Sequence, residues 1–342
     1  MTRFYIATLS PVVLIALACL AGGVWPVLAL AYMTVFVTLA DRLGPEALPP
    51  VAGAVRAANS LSVLLALAHL ALLPLGVWAI AGAPWLGGAG RLLTGMALAL
   101  FLGQVSHPNA HELIHRGARV LRRLGVAVYV TLLFGHHASA HPKVHHIHVA
   151  TDRDPNSARL GESLYPFLLR AWIGSFRAGW QAETAARARR ATPGGWHPYW
   201  TYITGALASL AVAGLLAGWA GIGVYLALCL YAQLQLLLAD YVQHYGLRRR
   251  IGPDGRAEPA GPQHSWNAPQ WYSSALMLNA PRHSDHHLHP GRPYPELRLE
   301  PERMPVLPRS MPVMAVVALL PPVWHRMMAP RLRKWAPADM PR

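Results

Sequence analysis

The chain has 342 residues, 54% of them hydrophobic and only 13% charged. That balance excludes an ordinary soluble domain and points to an all-α polytopic membrane protein. A formal charge of +15 would fit a nucleic-acid binder, but its distribution along the chain, taken up below, excludes nucleic acid as the partner.

Apolar runs at about 4–22, 24–40, 60–83, 86–110, 198–219 and 221–243 each approach the ~20 residues a helix needs to cross a bilayer, so about six transmembrane helices are expected. The first run follows Arg3, but it continues past the usual length of a signal peptide's apolar core. No small-x-small cleavage site follows it, and removal is not expected. Within the third run His69 has no histidine partner at helical spacing and reads as a core residue.

At the end of the fourth run stands HELIH, with His111 and His115 four residues apart and so on one helix face. The pentapeptide also fits the HExxH signature of zinc proteases. Such a site needs only three protein ligands, and too many other histidines would be left without a role. HPKVHHIHVATDRDP then supplies His141, His145 and His146, while His148, two residues on, faces away on a helix. Asp154 in the DRDP turn reads equally as a turn cap or as a partner to a histidine. The basic run from Arg187 to Arg190 reads as a face against solvent or lipid headgroups, and PGGWHP at 193–198 breaks the segment.

The sixth run ends in DYVQHYGL, where Asp240, Gln243 and His244 follow a long apolar stretch. An ionisable group at that depth is a candidate functional residue. Between Arg248 and Pro262 the Gly, Pro and charge content marks an exposed loop. HSDHH places His283, His286 and His287 on one face, and His289, before Pro290, lies past the helix end. The stretch 311–324 is too short and too proline-rich for a span and reads as a packing or interfacial segment.

With the N-terminus inside, 29 of the 30 Lys and Arg fall on the cytoplasmic side and only Arg91 lies near an outer boundary. The same topology puts all the histidine clusters on that side. A histidine-rich cytoplasmic cap, 111–197 and 244–342, is therefore expected on one membrane domain spanning 1–342. Nine histidines, His111, His115, His141, His145, His146, His244, His283, His286 and His287, exceed what one tetrahedral or octahedral ion takes, so two metals are the natural count. Imidazole-rich donors suit iron, copper, nickel or zinc, and Glu112, Asp240, Asp285 and Asp154 are candidates to orient the rings. Two redox metals beside an apolar slot fit oxygen activation on a lipophilic substrate. Cys19 and Cys229 stand alone in apolar runs, and no Rossmann, haem or rubredoxin-like motif is present. Electrons must then come from a partner.

HELIH, HPKVHH and HSDHH resemble the eight-histidine signature of the integral-membrane fatty acid desaturase and hydroxylase superfamily. HYGL with His244, HSWN at 264–267, RHSDHHLHP at 282–290 and the ALLPPVW and MMAPR tail are similar to the membrane-bound alkane monooxygenases within it. That resemblance implies nine histidine ligands holding two iron ions (Fe2+/Fe3+). It also implies a rubredoxin or ferredoxin-type electron donor with its reductase, O2 as oxidant, hydroxylation of a terminal methyl group and a bacterial inner-membrane location. The family favours Asn and Glu where this chain has Asp240 and Gln243, Glu in place of Ala140, and Leu-Gln in place of Ala280-Pro281. No ligand is lost, but the tuning around the metals is open. A fatty acyl desaturase or hydroxylase shares the centre and is separated from a terminal hydroxylase by its product. A metal transporter would spread its histidines along a path across the bilayer, whereas these gather on one side.

Overall fold

A computed structural model describes residues 1–189 and 195–335; Arg190 of the basic run and Pro193 and Gly194 of the breaker lie outside them. The architecture is all helical, with only two isolated β-bridges among the described residues. Helices α1 (Thr2–Ala21), α2 (Trp25–Leu43), α3 (Val55–Gly82), α4 (Gly88–Ile114) and, after α5 (Arg119–Thr131), α6 (137–148) and α7 (Leu164–Ala188), α8 (Pro198–His244) follow in order. Five of these, α1 to α4 and α8, are long and apolar enough to cross a membrane.

The two spans expected at 198–219 and 221–243 are present as two helical arms of α8, joined without a loop at a kink where the chain folds back. At 47 residues α8 would run ~70 Å if straight, more than twice the ~30 Å hydrocarbon thickness. It reverses at Ala217 and Gly218, where Gly218 has φ 58° and ψ −147°, a conformation that L side chains rarely adopt. Just beyond, a Cβ on Gly221 would sit 2.3 Å from the Ala213 carbonyl oxygen, so the arms close only over a glycine. Counting the arms separately, six passes result.

The outer faces of these helices carry exposed Ile6, Val13, Leu67, Leu207, Leu215 and Trp219, an apolar surface that only lipid covers without cost. The chain is an integral membrane protein. Inside, α8 packs on α3, and its second arm is fastened to the end of α5 by polar side chains. Tyr225 donates to the Thr131 carbonyl (2.6 Å) and Gln233 to that of Leu132 (2.9 Å).

Two prolines shape the helices that carry histidines. Pro108 and Pro142 have no N–H to give the carbonyl four residues back, and wide π-helical turns lie at 102–106 and 141–145. Beside the first, α5 packs backbone to backbone on α4. A Cβ on Gly125 would lie 2.8 Å from Leu113 Cβ and 2.9 Å from the Ala110 carbonyl oxygen. Gly125→Ala is therefore expected to push α5 off the turn bearing His111 and His115 and to cost about 1–3 kcal/mol. Thermal unfolding in detergent measures it, and an unchanged midpoint would show that the contact yields freely.

The remaining α-helices are α9 (Trp271–Leu276), α10 (His283–Leu288), α11 (Met311–Ala318) and α12 (Pro321–Trp335). Asp41 at the end of α2 accepts the backbone N–H groups of Tyr272 and Ser273 (3.0 and 2.9 Å), which ties α9 to the membrane helices. The stretch 311–324 packs rather than spans, with Met314 and Trp324 fully buried.

Candidate metal centre

All nine histidines named from the sequence come together, in two groups. His111, His115, His141, His146 and His286 form one; His145, His244, His283 and His287 form the other. Within each group the nearest ring nitrogens lie within 4.8 Å of one another. In the first, His141 Nε2 is 2.7 Å from His111 Nε2 and 2.9 Å from His146 Nε2, which in turn is 3.1 Å from His286 Nε2. In the second, His283 Nε2 lies 3.0 Å from His244 Nε2 and 3.1 Å from His287 Nε2.

These separations test whether the residues fit a metal. Imidazole nitrogens ~2.1 Å from one ion and at right angles to each other stand ~3.0 Å apart. The observed contacts match. Two more atoms point the same way: His115 Nε2 and His145 Nε2 are buried with no hydrogen-bond partner. Left so, each would cost about 1–3 kcal/mol, which a bound ion removes. No carboxylate belongs to either group among the described residues. The chemistry is that of a metal site built from imidazole.

Protonation is consistent with ligation. Burial pushes His115 down to about 4, and burial together with neighbouring rings holds His141, His146, His283, His286 and His287 well below the usual imidazole value. A neutral ring is the form that binds metal. His145 differs: burial lowers it, but Asp154 more than reverses the effect and the net direction is upward. Burial opposes ionisation of Asp154 too, yet His145 and Ser157 hold it below the usual carboxylate range.

The four acidic residues proposed as ring partners separate clearly. Asp154 Oδ2 accepts from His145 Nδ1 (2.8 Å) and from Ser157 Oγ (2.6 Å), while Oδ1 accepts from the Asn156 N–H (3.1 Å). It is turn cap and histidine partner at once. The other three make their bonds elsewhere. Glu112 pairs with Arg116 and accepts the Tyr294 N–H (3.0 Å), and Asp285 holds Arg292 through both oxygens at 2.6 Å. Asp240 accepts from Asn156 Nδ2 (2.6 Å), in the turn that Asp154 organises. Spacing along a helix says which face a carboxylate is on, but not which cationic side chain the tertiary fold brings to it.

His148 and His289 stand outside both groups. The His289 side chain is 52% exposed and 3.9 Å from Asp285. His148→Ala and His289→Ala are expected to retain the full metal content of the purified protein by elemental analysis; loss of half the metal in either would enlarge the ligand set.

Three further buried histidines, His107, His136 and His137, went unread in the sequence. His107 and His137 lie one helical turn before His111 and His141, and their signal was there to see: 107, 111, 115 and 137, 141, 145 are both ladders of four-residue steps. Both line a cavity of about 190 Å³ that runs from His111, His141 and His283 down between α4, the second arm of α8 and α11. More than ten water molecules' worth of room lies there. Most of its wall is apolar, including Leu100, Leu236, Met277, Met311 and Ala315. At its edge Tyr231, Val316 and Leu319 are exposed on the apolar outer surface.

The fatty acid desaturase family profile matches residues 83–315. The chain is 35% identical over 254 residues to the alkane 1-monooxygenase 1 of Pseudomonas aeruginosa, covering 73% of this chain and 65% of that protein. It is 33% identical over 306 residues to the alkane 1-monooxygenase 1 of Alcanivorax borkumensis, covering 86% of this chain and 73% of the relative. The hydroxylase component of the xylene/toluene monooxygenase of Pseudomonas putida is 29% identical over 246 residues, which cover 70% of this chain and 64% of that one. The chain spans 65% of the Pseudomonas aeruginosa protein and 60% of an alkane 1-monooxygenase 2 of Alcanivorax borkumensis. With its helices, its histidines and these relatives taken together, the chain belongs to the fatty acid desaturase family, in the alkane monooxygenase group.

Proposed function

We propose that this protein is an O2-dependent membrane monooxygenase that hydroxylates the terminal methyl group of an alkane or related hydrophobic chain at a di-iron centre. The observation that carries this reading is the position of the two histidine groups at the head of an apolar cavity whose edge reaches the lipid-facing surface. The nine histidines are its metal ligands, and two iron ions bound there would supply activation of O2 and oxidation of the C–H bond.

The protein's own residues do the rest. Asp154 fixes the orientation of the His145 ring through Nδ1, leaving Nε2 for the metal. The apolar walls around Leu100, Leu236 and Met311 hold a hydrocarbon extended, with one end beneath His111, His141 and His283. Electrons come from outside the chain, since both cysteines are buried singly; a rubredoxin or ferredoxin-type donor with its reductase fills that role. The charge distribution supports a cytoplasmic position for the histidines, and the location that goes with this reading is a bacterial-type inner membrane. The whole is a single membrane domain over 1–342 with its cap at 111–197 and 244–342.

The test joins metal analysis to product analysis. Two irons per chain and O2-dependent primary alcohol from an n-alkane, with a reduced donor supplied, support the proposal. An iron-loaded, reduced enzyme that makes a double bond in an acyl chain, or no alcohol from any hydrocarbon, overturns it.

A further inference from the structure

Glu183, near the end of α7, is a buried carboxylate at 4% exposure whose bonds go to neither a histidine nor an arginine. Its Oε1 takes the Lys143 ammonium at 2.5 Å and the Ser139 hydroxyl at 2.7 Å. The Tyr202 hydroxyl, from the first arm of α8, lies 2.8 Å from the same serine oxygen. One turn earlier Gly179 brings the backbone of α7 against α6: a Cβ there would be 3.1 Å from Ala140 Cβ and 3.3 Å from its Cα. The end of α7 is thus fastened to the residues on either side of His141.

What is fastened is a change of helix type. Ser139 belongs to the α-helical start of α6 and Lys143 to the middle of the π-helical turn 141–145, so one carboxylate spans the junction. The junction decides where His146 points. At ~3.6 residues per turn, residues five apart on an α-helix diverge by ~140°. A π-helix closes its hydrogen bonds between residues five apart and brings them to one side. His141 and His146 are such a pair. They share a group with their Nε2 atoms 2.9 Å apart, while His145, only four residues from His141, enters the other group. Pro142 withholds the N–H that a regular turn would use, but a proline is compatible with a plain kink as well as with a wide turn. The tie to α7 selects the wide turn. An exposed Lys–Glu pair would hold little, but this carboxylate is buried and poorly screened.

We propose that Glu183 is a positioning residue of the metal centre. Through Lys143 and Ser139 its carboxylate keeps the turn 141–145 in the π form, and that form directs His146 to the ion that His141 holds. Without it the turn relaxes toward α-helical winding and His146 swings away from its group. The proposal rests on the reading of the histidines as metal ligands.

The experiment loads the full chain, in detergent, with ferrous iron of the Mössbauer-active isotope. Iron retained against a chelator of fixed strength, the Mössbauer spectrum and thermal unfolding are then read together. In Glu183→Ala and Lys143→Met iron affinity is expected to fall about tenfold, the low end of what an outer partner of a metal ligand contributes. Both spectra shift in the direction of His146→Ala. Glu183→Gln, whose amide oxygen still accepts from Ser139 and Lys143, recovers most of the affinity. Tyr225→Phe loses a hydrogen bond ~28 Å along α8 from His244 and calibrates lost stability alone, with a lower unfolding midpoint and the parent spectrum. Should Glu183→Ala fail to fold, Lys143→Met decides, because that side chain is 39% exposed and its loss opens no void in the core. Parent affinity and a parent spectrum in Lys143→Met overturn the proposal and leave Glu183 a packing residue. A parent protein that takes up no iron overturns the metal reading itself, and this proposal with it.

Discussion

On the di-iron reading, alanine at His244 is expected to cut alcohol formation by more than ~100-fold and to lower bound iron from the proposed two per chain to one or fewer. Residues that merely support a ligand typically cost 10–100-fold in metal affinity or activity when removed, so loss of a ligand must exceed the upper end of that range. His244 is wholly buried and sits 3.0 Å from His283 in a group of only four. Its removal leaves three imidazoles, and water cannot readily replace it at a buried position. The same substitution leaves α8 without strain, because His244 is the final residue of the helix. Helix content by circular dichroism should therefore match the parent while elemental analysis does not. Full iron with full activity would remove His244 from the ligand set and return the chain to an eight-histidine centre.

Asp154→Asn is the second large effect. The asparagine amide can still accept the Asn156 N–H and preserve the turn. What disappears is the charge that holds the His145 ring and accepts its Nδ1 proton. Iron affinity is expected to fall about 10–100-fold. The loss is read as iron released to a chelator of fixed strength, with activity restored in excess iron. Asp154→Ala should be worse, since the buried Ser157 hydroxyl and Asn156 N–H lose their acceptor as well. Equal iron retention in parent and Asp154→Asn would reduce Asp154 to a turn residue.

Much of this was legible in the sequence, for physical reasons. Apolar length marked the membrane helices, and four-residue spacing put histidines on common faces whatever the tertiary fold. His244 became readable because charge topology placed the end of its span beside the other clusters. What remained hidden depended on contacts between distant segments. The choice of Asp154 over Glu112 and Asp285 turned on Arg116 and Arg292, which claim the latter two. By contrast, the reversal at Ala217 and Gly218 falls within three residues of the expected division between the runs 198–219 and 221–243, because the apolar length there exceeds one span. His107 and His137 stand on the same four-residue ladders as His111 and His141, and spacing alone does not say at which rung burial begins.

Nor did one shared face foretell how the rings divide. His145 and His146 are neighbours in sequence, yet they enter different groups; so do His286 and His287. On the di-iron reading, two adjacent-residue pairs thus straddle both ions. Adjacent Cα atoms are locked ~3.8 Å apart, so single peptide units tether one group to the other at two places. A shift of either segment would move a histidine of both groups at once, and two ions held there would be displaced together rather than one at a time.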